Sequence, residues 1–500
     1  MKKIEKINTV TESVEKGEKF ETDLDDALNI AGVGLYNVKY SLLFALMLIS
    51  SIMEVIGYAY VLPAAKCDLD MTDSQRGVVA SLPYFLIVIT SYPWGYVVDM
   101  WGRRPTLVAS CLSVGFFSYL AAFMPDLVTF TLCKLLANIS LAAPSAVPYA
   151  FIGEVLPPRH RDLALSLTNA LQMTGAALVP LLAYGVLPLD FSANFGSYNF
   201  RAWRLLGMLY ATPFVICGVC MYFGPESPKF LVSQGKGDEA LEVLRTMYAQ
   251  NKRTSPDNYP VKRLKMSDAQ QKSTGFLNSL QLQTLPVLRP PYLKWLCLNG
   301  FLLFGIFATL NGINMWVPDV LNRVLTETTE EPMTACQIIR LRLNSTTVEL
   351  ECNDTIEKSI FLINAIAGMA CAVITVSLSL TIKLVGKKPL LVFIYFTFGG
   401  FMILINFITK DIVFAILLMS LQITGLGIGP VNAYAVEIFP THLRGMAVSL
   451  GMMLGRLGSA VGTNVAGLLI NNSCESTFYG FGGLLILCGV LTFLLPKSKT

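Results

Sequence analysis

Apolar runs of membrane-spanning length alternate with short polar gaps along nearly the whole chain. The first six runs are 40–62, 77–98, 107–123, 127–153, 163–189 and 203–223. Each falls near the roughly 17–25 residues that an α-helix needs to cross hydrocarbon. A polar interval, 224–289, then interrupts the series; within it, residues 238–248 repeat apolar positions at helical spacing and predict a short helix. Six further runs follow at 293–317, 359–384, 390–408, 413–436, 446–470 and 479–495. The pattern predicts an all-α membrane protein with twelve transmembrane helices in two six-helix, pseudo-symmetric bundles.

The expected divisions are a segment at 1–38, a first bundle at 39–230, a loop with a short helix at 231–290, a second bundle at 291–495 and a tail at 496–500. Residues 319–357 form a long loop inside the second bundle. Segment 1–38 is polar and has no basic-flanked apolar core, which predicts insertion directed by the first span rather than by a cleaved leader. Residues 24–30 are expected to form an amphipathic turn against the membrane surface.

Composition sharpens this class. The chain is 53% hydrophobic and 14% charged, with a mean hydropathy of +0.56. A water-soluble fold cannot hide that much apolar surface. The net charge is only +4, and its placement matters more than its size. Arg103, Arg104, Arg159, Arg161, Lys387, Lys388 and Arg444 all stand in every second gap, which places those gaps and both termini in the cytoplasm. The loop at 319–357 falls on the other side. It carries sequons at Asn344 and Asn353, expected to be glycosylated, and Cys336 and Cys352, expected to form a bridge. The Asn138 sequon lies inside a span and is not expected to be used. No basic stripe with interleaved aromatics points to nucleic acid, and no metal cluster, nucleotide loop or nucleophile triad points to an enzyme or a cofactor. The Gly425-Leu-Gly-Ile-Gly-Pro430 stretch lies mid-span without a Lys-Ser/Thr after it and reads as close helix packing.

The two halves repeat. Gly153-Glu-Val-Leu-Pro-Pro-Arg-His-Arg161 matches Val436-Glu-Ile-Phe-Pro-Thr-His-Leu-Arg444, and the glycine-bounded turn Gly102-Arg-Arg-Pro105 matches Gly386-Lys-Lys-Pro389. The offset is 437 − 154 = 283 for the glutamates and 387 − 103 = 284 for the basic turns. Gly95 and Gly102 are read as points of close helix approach. Such duplication suits two bundles around a central cavity.

These paired motifs, with Pro225-Glu-Ser-Pro-Lys-Phe-Leu231, resemble the major facilitator superfamily, in its sugar-porter-like branch. Glu54-Val, Val61-Leu-Pro63, Trp203-Arg204 and Trp316-Val-Pro-Asp319 are similar to the group containing synaptic vesicle glycoprotein 2 and its insect relatives. The resemblance implies a secondary transporter of a small organic solute, monomeric in the lipid bilayer of the plasma membrane or a vesicle, with a proton as candidate coupling ion. The alternative it leaves open is a transporter-like membrane regulator that no longer transports. Three departures matter: Lys134 stands where the family has Arg, the seventh span lacks a paired Gln, and the chain ends Pro496-Lys-Ser-Lys-Thr500 without an acid. Loop 319–357 is also too short for the folded lumenal domain of synaptic vesicle glycoprotein 2.

Two residue sets carry the functional expectation. Asp99, Arg103, Arg104, Glu154, Arg161 and Glu226, echoed by Lys387, Lys388, Glu437 and Arg444, are expected to latch the halves on the cytoplasmic face. Topology alone would explain the bases but not the matching acids. Glu54 lies mid-span, where an unpaired carboxylate is costly; it is expected to bind solute or a proton, or to pair with Arg456. Asn311 and Asn314 share one helix face, and Gly312 between them invites a break. Gln172, Trp316, Asn432 and Tyr434 complete a candidate polar and aromatic cavity, each individually explicable as interhelical bonding.

Overall fold

In the computed structural model, the residues described are 21–189, 191–196, 198–265, 284–326, 333–345, 356–440 and 443–496. Twelve helical segments of spanning length run through them. Ten are long and apolar enough to cross a membrane; Arg103–Ala121, with two arginines in its first turn, and Lys358–Val385 complete the set. Every span begins or ends beyond its apolar run. Span 2, for instance, is Asp73–Trp101 and starts under the side chain of Thr72, which accepts from the Gln75 N–H.

Several spans are interrupted. Span 1 divides at Gly57 into Leu35–Ile56 and Tyr58–Ala65. A side chain at Gly57 would meet the Tyr210 ring at 2.5 Å, so the position admits only hydrogen. Span 7 runs as Tyr292–Phe307, widens to a π turn over Ala308–Ile313, tightens over Asn314–Trp316 and resumes as Val317–Leu325. The expected break beside Gly312 is therefore present. Span 11, Arg444–Asn472, packs along span 7 through glycines. At Gly462 an added Cβ would lie 2.6 Å from the Ala308 carbonyl oxygen. In span 10, Gly427 abuts Ile306 and Gly425 abuts Leu310, which bears out the packing role of that glycine-rich stretch.

Spans 1–6 pack among themselves, as do spans 7–12. The bundles meet chiefly where span 2 lies on span 11 and span 5 (Pro158–Val186) lies on span 8. Gly368 on span 8 takes part in that approach: a Cβ added there would lie 3.7 Å from Ala177 Cα.

The helix in the polar interval is Gly237–Lys252. Against it packs Leu24–Ala31, with Ala27, Leu28 and Ala31 fully buried, and the Tyr259 hydroxyl donates to the Ala27 carbonyl at 2.8 Å. Residues 24–30 thus cover a protein helix rather than the membrane surface, because that helix offers them its own apolar face. Asn251 locks the joint: its side chain donates to Asn37 at 2.8 Å and accepts from the Tyr36 N–H at 3.1 Å. Thr22 and Leu264 add a short parallel strand pair.

Two further expectations change. Gly95 has open space around it among the described residues and supports no close approach there. Gly102 does: its φ of +106° suits glycine, and a Cβ there would collide with the Glu226 carboxylate. The bridge joins Cys336 to Cys474, not to Cys352. The physical reason is the helix Ala335–Ser345, which stands beside the start of span 12 (Cys474–Thr492) and is also held there by Arg340 at 3.0 Å from Glu475. Asn344 falls in the last turn of that helix, whereas Cys352 and Asn353 lie outside the described residues.

Candidate functional site

A cavity of about 280 Å³ lies between the bundles. Its polar lining comes from both: Ser145 and Gln172 from the first, Asn311, Asn314, Gln422 and Arg456 from the second. The irregular turns of span 7 aim this part of the wall. They carry Asn311 and Asn314 to the cavity, and the Asn311 amide is steadied by donating to the Ser459 hydroxyl at 2.9 Å. Gln172 is held by the Tyr149 hydroxyl. Neither Asn314 nor Gln422 has a hydrogen-bonding side-chain partner among the described residues, so both present free amides. Arg456 crosses to the other bundle and donates to Ser91 Oγ on span 2 at 3.1 Å.

The remaining sequence candidates stand elsewhere. Glu54 does not meet Arg456. It is 2% exposed and accepts from Lys134 Nζ on span 4 at 2.6 Å and from the Ser118 hydroxyl at 2.9 Å. Spans 1 and 4 are neighbours in one bundle, so Lys134 reaches Glu54 without crossing the cavity. Asn138, one helical turn on, donates to the Tyr58 hydroxyl at 3.0 Å and extends this buried polar cluster. Trp316 is buried too; its indole N–H donates to the Thr463 carbonyl at 3.0 Å and its ring underlies Arg76 at 4.0 Å. Tyr434 is buried without a partner for its hydroxyl, and Asn432 contacts Met452 sulfur at 3.4 Å. None of these four lines the central cavity.

On the basic face, Arg103 pairs with Asp99 at 3.3 Å and Glu154 at 3.2 Å, and Glu154 also accepts from Ser227 at 2.5 Å. Glu226 accepts from the backbone N–H groups of Arg103 and Arg104 at the mouth of span 3. Burial raises its carboxyl above the ordinary range, while the N–H groups of Ser227, Arg104 and Arg103 partly oppose that rise. The repeat is legible contact by contact. Arg161 donates to the Leu156 carbonyl at 2.9 Å, and Arg444 to the Phe439 carbonyl at 3.1 Å. Arg103–Glu154 has its counterpart in Lys387–Glu437. Lys388 instead caps the end of span 12 through Phe493 and Leu495, and Arg161 also reaches Asp25 at 2.7 Å. Among the described residues, each ion pair on this face closes within one half or its attached segment.

The ion pairs between halves lie on the opposite face. Arg76 at the start of span 2 meets Asp319 at 2.7 Å, and Arg323 meets Asp73 at 3.5 Å. Asn471, at the end of span 11, donates to Asp73 at 2.5 Å and accepts from Arg323 at 2.7 Å. Sequence reading missed this clamp. Its signal is present as two acids and two bases at the ends of spans 2 and 7 that lie away from the basic turns, but attention to the basic gaps passes over it.

The Major Facilitator Superfamily model matches residues 42–339 and 355–500. Synaptic vesicle glycoprotein 2C of Rattus norvegicus is 31% identical over 247 residues, covering 48% of this chain and 34% of that protein. Synaptic vesicle glycoprotein 2A of Rattus norvegicus is 28% identical over 241 residues, covering 48% and 32%. The matches thus span only about a third of those relatives' length. Among solved structures, the inward open xylose transporter XylE from E. coli superposes with a TM-score of 0.67 at 16% identity, over 93% of this chain and 98% of that one. A mutant of the nucleoside transporter NupG gives 0.63 at 12% identity, over 92% and 100%. These structural likenesses establish the shared fold.

Proposed function

The chain belongs to the Major Facilitator Superfamily, and on that footing we propose that it is a secondary transporter moving a small organic solute by alternating access. The observation that carries this reading is the polarity of the junction around the cavity. The two bundles are tied by ion pairs on the Arg76–Asp319 face and keep their ion pairs to themselves on the Arg103 face. Such an arrangement suits a cavity closed on one side, with the charges on the other side paired within each bundle and not across the junction. With the basic turns in the cytoplasm, the clamp is extracellular or lumenal and this state faces inward.

Lys134 supports a retained transport machine over a regulator that has lost it. A departure from the family arginine could have stranded Glu54, but the lysine keeps the pair at 2.6 Å.

The test is paired accessibility and flux. Single cysteines placed beside Ser145 and beside Asn471 are labelled from each side of proteoliposomes, with and without a pH gradient. Alternating access predicts reciprocal labelling, with solute uptake following it. Fixed labelling at both positions under all conditions, with no uptake, favours the regulator.

A further inference from the structure

Resting on the transport reading, we propose that the central cavity takes a solute bearing a single negative charge, an organic anion such as a carboxylate or sulfonate, with Arg456 as its counter-ion. Among the described residues, Arg456 is the one charged side chain lining the cavity. A guanidinium stays protonated in any protein setting, and its hydrogen-bond partner among the described residues is the neutral Ser91 hydroxyl at 3.1 Å. No carboxylate lies within ion-pair range of it among those residues.

The acids that could have balanced it are engaged elsewhere. Glu54 is taken by Lys134, Glu154 by Arg103, Glu437 by Lys387, and Asp73 and Asp319 by the clamp arginines. A cation held between two bundles without a counter-charge is costly, and a bound anion relieves that cost. Guanidinium geometry suits a carboxylate fork, which Ser91, occupying a single N–H, leaves available.

The rest of the wall defines the body of the solute. Asn314 and Gln422 offer free amides for hydroxyl or amide groups, while Leu310, Ile56 and Tyr84 supply apolar surface. At about 280 Å³ the cavity admits a small molecule only. Solutes with a net positive charge meet repulsion and find no acid among the described residues of the lining.

The experiment uses the full-length protein in detergent, with melting temperature read against matched probes: gluconate with glucose, benzoate with benzyl alcohol, and choline. Sodium chloride serves as the inorganic control. At least one organic anion is expected to raise the melting temperature with an apparent affinity tenfold or more above its neutral match, and Arg456→Gln to abolish that preference. Arg456→Lys, which keeps the charge, should retain part of it and serves as the reading if the Gln variant does not fold. Equal response to anion and neutral match, preference for choline, a response that chloride alone reproduces, anion binding indifferent to Arg456→Gln, or silence across all anions would each overturn the proposal. The transport reading fails separately. Arg456-dependent anion binding without uptake in proteoliposomes removes transport and leaves the site, whereas uptake of a neutral solute indifferent to Arg456 does the reverse.

Discussion

Lys134 on the fourth span holds Glu54 on the first at 2.6 Å, both nearly excluded from solvent and both on the same bundle. Removing one member of a buried pair leaves an uncompensated charge and typically costs about 3–5 kcal/mol, whereas removing both is often neutral. Glu54→Gln should therefore lower thermal stability markedly, and the double change with Lys134→Met should recover most of it. Pairing Glu54→Gln with Arg456→Met instead should recover nothing. Equal stability of wild type and Glu54→Gln in detergent melts would remove the structural role of the pair.

The bond between Cys336 and Cys474 closes a loop of 138 residues and pins the helix Ala335–Ser345 to the start of span 12. Non-reducing peptide mapping should recover one peptide containing both. Cys336→Ser should cost about 2–4 kcal/mol of stability, by the usual scale for such cross-links, with spans 1–6 unaffected in limited proteolysis. Recovery of Cys474 as a free thiol would contradict the pairing.

What could be read before the structure, and what could not, follows from the range of the interactions. Spans such as 2 and 11 announce themselves through continuous hydropathy, and the repeat of Glu154 and Arg161 in Glu437 and Arg444 is local enough to see in a string. The contacts it implied recur at matching carbonyls. Asn311, Asn314, Gln172 and Arg456 were legible because polar groups in spans are few and face the interior. Partner choice was not legible. Lys134 reads as a departure from a family arginine, and only the adjacency of spans 1 and 4 reveals it as the partner of Glu54. The Arg76–Asp319 clamp joins residues 243 apart in sequence, so nothing local marks it. The pairing of Cys336 likewise depends on which helix end lies beside it.

The seam between spans 7 and 11 should tolerate no added methyl. At Gly458 a Cβ would collide with the Phe304 carbonyl oxygen and lie 2.9 Å from its Cα, both backbone atoms that cannot swing away. Gly458→Ala is expected to destabilise by about 1–3 kcal/mol, the usual range for overpacking. Gly400→Ala, with nothing near its Cβ, should not destabilise at all. Similar melting temperatures for the two variants would argue against backbone contact along this seam.

The Arg76–Asp319 clamp offers the most direct control over which face is open. Arg76 is nearly buried between Trp316, 4.0 Å below its guanidinium, and Asp319, 2.7 Å away. It also lies 3.6 Å from Asp73, which in turn receives Asn471 and Arg323. Asp319→Asn keeps the shape but takes away the charge shared by Arg76 and Arg323. Two guanidiniums then face one remaining carboxylate, Asp73, and the junction loses cohesion. The population should shift toward the state open on this face, read as increased labelling of a cysteine placed beside Asn471 and decreased labelling of one beside Ser145. A swap, Arg76→Asp with Asp319→Arg, restores opposite charges across the same gap and should return the labelling part of the way, though the cation over Trp316 is lost. Neutralising Arg103 probes the other face: its pairs stay within one half here, so Arg103→Ala should leave the closed clamp intact in this state. Labelling unchanged by Asp319→Asn would mean that the clamp does not set the balance between faces.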